Sequence, residues 1–108
     1  MTEARLYGAS SLDLEEGCAL LQAAVAARFE AHESLYRGGK YYRLRTRDDV
    51  ELVLQLNFIE DDGEATESDF PQATLLLYVH GNNNAVASTA SCIESARGGF
   101  ELLLRTSG

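Results

Sequence analysis

The chain has 108 residues and a mass of 11.8 kDa, enough for one hydrophobic core and no second, so a single domain over residues 1–108 is expected. Apolar residues make up 45% and charged residues 24%, a globular composition that excludes disorder, and no apolar run approaches the ~20 residues needed to cross a bilayer. A net charge of −8 repels phosphate backbones and argues against nucleic-acid binding.

The first residues, Met1–Leu6, show no basic stretch followed by an apolar one, and Cys18 and Cys92 have neither disulfide-scaffold density nor metal-ligand spacing. The expected setting is the cytoplasm, with both thiols reduced, no membrane association and no cofactor. Ala4–Gly8 reads as a short strand carrying Leu6 and Tyr7. A helix follows: Asp13 with Glu16 forms a capping box, and Leu14, Cys18, Leu21 and Val25 fall on one stripe. Gly17 within it costs roughly 1 kcal/mol of helix propensity. The end of this helix is open from the pattern alone. The stretch from Phe29 is read as a strand leading to a turn at Gly38-Gly39, with Tyr41-Tyr42 returning.

The next hairpin can be read to its register. Val50, Leu52, Leu54, Leu56 and Phe58 share one face of a half-buried strand, with Glu51, Gln55 and Asn57 on the other. Tyr42 and Leu44 must then face the same core, because Arg43 and Arg45 alternate with them. A three-residue loop, Arg47-Asp48-Asp49, satisfies this by pairing Thr46 with Val50, Leu44 with Leu52 and Arg45 with Glu51.

After Phe70-Pro71, Thr74–His80 is apolar on both faces and reads as a central strand. Gly81 and Asn82–Asn84 read as a turn and helix cap, followed by a helix to about Ala96 with Val86, Ala90 and Ile93 inside. Cys92 is expected on or near that stripe, and Gly98 at a left-handed position just after the helix. Phe100–Arg105 supplies a last strand. The order predicts an α+β two-layer sandwich, a mainly antiparallel sheet with two helices on one face, ferredoxin-like with extra central hairpin strands.

Charge is concentrated in two blocks. Glu60, Asp61, Asp62, Glu64, Glu67 and Asp69 form an acidic segment without a base, while Arg37, Lys40, Arg43, Arg45 and Arg47 form a basic one without an acid. An EF-hand reading of the acidic segment fails, because Phe58 would occupy the first ligand position if Gly63 held the sixth. No Gly-rich phosphate loop, HExxH, CxxC or GxSxG motif occurs, and His32 and His80 lack neighbours of a catalytic or zinc-binding pattern. No catalytic or metal residue is therefore nominated.

The most distinctive stretch is His32–Arg43, with three tyrosines, three bases and a double glycine. Together with Asn57-Phe58-x-x-Asp61-Asp62 and Leu75–Val79, it resembles small acidic single-domain proteins of high-GC actinobacteria, some of them immunity proteins of polymorphic toxin systems. The resemblance spans residues ~29–80 and carries no functional residue with it. It implies a non-enzymatic protein-binding domain, in its sharpest form an inhibitor of a basic toxin. Glu60, Asp61, Asp62, Glu64, Glu67 and Asp69 would steer the partner, and Tyr36, Tyr41 and Arg43 would anchor it. One alternative is a small-molecule or anion-binding protein or enzyme with a pocket at His32, Arg37 and Lys40. Another is a homodimeric structural module pairing sheet edges or faces. Ordinary solubility accounts equally for the acidic surface, and cross-strand aromatic packing for the tyrosines.

Overall fold

A computed structural model describes residues 1–34, 39–58, 66–96 and 99–107. Along the chain these form β1 (Thr2–Ala9), α1 (Leu14–Val25), β2 (Glu30–Ser34), β3 (Gly39–Arg45), β4 (Glu51–Leu56), β5 (Leu75–Asn82), α2 (Asn83–Ser95) and β6 (Glu101–Ser107). The strands make one sheet in the order β2-β3-β4-β5-β1-β6, and every adjacent pair is antiparallel. The run β4-β5-β1-β6 with its two helices is the expected ferredoxin-like unit. The additional hairpin, β2–β3, is central in the chain but extends the sheet at one edge.

Each helix begins where its cap chemistry says it should. Asp13 accepts from the Glu16 amide at 2.8 Å while Glu16 accepts from the Asp13 amide at 2.9 Å, closing the capping box. The other end of α1, open in the sequence, is set by Ala26 in the left-handed region at φ 55°, and Gln22 then accepts from the Phe29 amide at 2.9 Å. At α2 the expected turn is absent. Gly81 and Asn82 still pair with Glu3 and Thr2, so β5 runs straight into the helix, and Asn82 caps it by accepting from the Asn84 amide.

Both helices cover one face of the sheet. Tyr7, Leu52, Leu54, Leu75, Leu77 and Val79 rise from the strands to meet Cys18 and Leu21 of α1 and Val86, Ala90 and Ile93 of α2. Gly17 is buried in this layer, where an added Cβ would stand 2.9 Å from Leu75 Cδ1. Its propensity cost therefore secures a close approach of α1 to β5. Cys18 is buried as expected, whereas Cys92 is exposed, because it stands one residue before Ile93 and about 100° around the helix from that stripe residue.

The opposite face is only partly open. Val53, Gln55 and Asn57 of this supposedly half-buried strand region are all buried, as are Leu6 and Leu76. Phe70 and Ala73, from the connection between β4 and β5, pack on Leu6 and Leu76 and form a small second core. The hairpin register is the expected one: Leu44 opposes Leu52, Arg45 opposes Glu51, and the Thr46 amide donates to the Val50 carbonyl at 2.9 Å. Asp49, at φ 64°, supplies the left-handed residue that lets a three-residue loop close. In β6 the register shifts opposite Leu6 and Tyr7, and Leu102 and Leu104 remain largely exposed at that edge. The Gly98 expectation lies outside the described residues.

Candidate functional site

The β2–β3 hairpin decides which residues of the distinctive stretch can act together. Antiparallel pairing sets His32 opposite Tyr41 and Glu33 opposite Lys40. Successive residues leave a strand on opposite faces, so His32 and Tyr41 point to the open face while Lys40 points to the helix face. The His32 and Tyr41 rings stack with centroids 5.4 Å apart and planes 21° from parallel. Lys40 instead donates to Glu15 at 3.1 Å and lies 5.1 Å from the centre of the Tyr42 ring.

Tyr42 completes that helix-side cluster, its hydroxyl donating to Glu15 at 2.7 Å. The Tyr42 hydroxyl and then the Lys40 ammonium hold the Glu15 carboxyl below its ordinary value, while Tyr42 and Glu15 push Lys40 upward. Of the expected pocket, His32 and Lys40 lie on opposite faces of the sheet. Arg37, its third expected member, lies outside the described residues.

Arg43 and Arg45 follow Tyr41 on the open face. Both donate to Glu51 of β4, Arg43 through Nε at 3.1 Å and Arg45 through Nη2 at 3.3 Å, and Arg45 also donates to Asp49 at 3.1 Å. The basic block is therefore no single patch. Among the described residues Lys40 goes to the helix face and Arg43 and Arg45 to the open face, where Glu51 and Asp49 offset part of their charge. A cleft of about 400 Å³ opens beside these residues, lined by Arg28, Glu30, His32, Arg43, Leu44 and Arg45. Arg28, from the short link after α1, was not among the nominated residues. Only the strand pairing shows that this link ends beside β3.

The acidic segment is anchored where it is described. Asn57 donates through Nδ2 to the Phe70 and Ala73 carbonyls at 3.0 and 2.9 Å, and accepts from the Glu67 amide at 2.8 Å. Those bonds hold residues 67–73 across the β1–β5 half of the open face; among the described residues none covers the β2–β3 half. Glu67 is half-buried and Asp69 exposed; Glu60, Asp61, Asp62 and Glu64, like Tyr36, lie outside the described residues.

A second polar cluster escaped the sequence reading. Glu3, 3% exposed, is paired with Arg5 and, at 3.0 Å, with Arg105 of β6. Arg5 also reaches Glu94 of α2 at 3.3 Å, and Tyr7 donates to the same carboxylate at 2.6 Å. The Arg5 hydrogen bond, opposed by burial and aided by Arg105, holds the Glu3 carboxyl below its ordinary value. Burial, reinforced by Glu94, pushes the Tyr7 hydroxyl up to about 12. An alternating Glu-x-Arg-x-Tyr pattern is the only local signal. Its partners lie 87 and 102 residues away, so the sequence does not connect them. This cluster ties β1 to β6 and α2.

Chemically, the open-face group can bind: it presents guanidinium donors, an aromatic pair and one acidic wall. His80 is exposed at the end of β5 beside Glu51, and no three His, Cys, Asp or Glu side chains among the described residues are grouped to hold a metal. Cys18 is no activated thiol, since burial and then Glu15 push it up. Among the described residues no helix is long and apolar enough to cross a membrane. No protein-family model matches the chain, and comparison with curated proteins gives no match.

Proposed function

We propose that the protein is a non-enzymatic protein-binding domain whose contact surface is the uncovered β2–β3 half of the open sheet face. In its sharpest form it is an immunity-type inhibitor of a basic toxin. The observation that carries the reading is the placement of Tyr41, His32 and Arg43 side by side on that uncovered half. Tyrosine and arginine are the residue types that most often dominate interface energetics, because they combine large contact area with directed donors. The acidic segment supplies long-range attraction for a basic partner, consistent with an overall charge of −8.

The test is affinity capture from source-cell extracts at low and moderate salt. Wild type is run beside a variant with the six acids of residues 60–69 changed to Asn or Gln, and beside Tyr41→Ala and Arg43→Ala. A basic protein retained by wild type and weakened by roughly 2 kcal/mol or more in the two alanine variants is the expected result. A partner that binds undiminished after all six acids are neutralised overturns the steering role. A partner insensitive to Tyr41 and Arg43 places the interface elsewhere.

A further inference from the structure

We infer that the cleft lined by Arg28, Glu30, His32 and Arg43 is a binding site for a phosphate-type oxyanion carried on a small molecule. Three arginines and a histidine line it against a single acid, Glu30, in a protein whose total charge is −8. An excess of guanidinium donors at one opening is thus contrary to the surrounding field, and it is a local arrangement rather than a consequence of composition. Arg28 makes no ion pair with any described residue, whereas Arg43 shares Glu51 with Arg45, which also pairs with Asp49.

A carboxylate offers two oxygens in one plane, and Glu51 already accepts from two arginines. A phosphate offers more acceptors and can take donors from Arg28 and Arg43 at once. His32 is stacked on Tyr41 through its ring face, which leaves the ring edge for a further hydrogen bond. Glu30 can only accept when ionised, so it suits a ligand that carries a hydroxyl donor beside the phosphate oxygens. The site needs no protein partner, and its failure leaves the partner reading standing.

The experiment is an amide chemical-shift titration at constant ionic strength with inorganic phosphate and, separately, glycerol phosphate, with chloride as control. Saturable shifts at residues 28–32 and 43–45 are expected with both phosphates and none with chloride. Arg28→Gln and Arg43→Gln should each weaken binding roughly tenfold, the loss of one charge-assisted contact. Lys40→Gln, altered on the other face, should leave it unchanged. Tighter binding of glycerol phosphate, lost in Glu30→Gln, assigns a hydroxylated ester; equal binding of both assigns the phosphate group alone. Absence of saturation with both, or wild-type affinity in both arginine variants, overturns the site. All four substituted side chains are exposed, so unchanged thermal unfolding is expected of each variant.

Discussion

Asn57 shows how much one side chain can organise. It is buried, and its three side-chain hydrogen bonds among the described residues go to backbone groups of the connection between β4 and β5. Asn57→Ala removes those bonds and leaves buried carbonyls and an amide unpaired, so a loss of roughly 2–4 kcal/mol is expected in urea unfolding. Asn57→Asp keeps the acceptor for Glu67 but sets a carboxylate against two carbonyl oxygens. It should be at least as damaging, and an Asp variant close to wild type would show that the bonds do not secure the connection. The alternation of Val50–Phe58 correctly places Asn57 opposite the leucines. It cannot show that this polar face is buried, because the covering residues, Phe70 and Ala73, lie beyond the reach of any local pattern. The same limit separates Lys40 from His32. Each belongs to a strand by sequence, but only the pairing of His32 with Tyr41 assigns them to opposite faces.

At the scale of elements, the Glu3, Arg5, Tyr7, Glu94 and Arg105 cluster joins β1 to β6 and to α2. Its pH dependence has a definite sign. Glu3 has a lowered pKa in the folded protein, so its contribution is fully present above the ordinary carboxylate value and is lost as pH falls through the lowered one. Urea stability measured between about pH 5 and pH 2 should decline less steeply in Glu3→Gln than in wild type. Identical slopes would mean that the pair contributes nothing to acid sensitivity. Tyr7 acts in the opposite range: with its pKa raised to about 12, stability falls as pH rises from its ordinary value through that value. The α1 cap and inner stripe are legible from spacing, as is the three-residue loop between β3 and β4, because each depends on residues a few positions apart. The absent turn before α2 was not. Gly81 and Asn82 carry turn chemistry, yet pairing with β1 keeps them in the strand.

For the molecule as a whole, β1 is the central constraint. Its first eight-residue strand is paired with β5 on one side and β6 on the other, joining both ends of the chain. Removing residues 1–9 would leave β6 without a neighbouring strand and uncover Leu75, Leu77 and the inner face of α2. Such a chain is expected to show no cooperative unfolding transition by circular dichroism in urea; a retained sigmoidal transition would place the stable core in β2–β5 instead. The two outer strands are blunted in different ways, β2 by Glu30 and Glu33 and β6 by its register shift beside the exposed Leu102 and Leu104.

The amino-acid sequence by itself determined the α+β class, the helix starts, the buried stripes and the register of one hairpin, since all of these follow from periodicity and capping within about a dozen residues. Tertiary structure alone decided the rest. It set which charges of the basic block share a face, brought Arg28 beside Arg43, covered half of the open sheet with the residues after the acidic segment, and buried Glu3 between two arginines. These outcomes depend on which strands become neighbours. That choice is made by burial and hydrogen-bond pairing summed over the whole chain, so no local pattern records it.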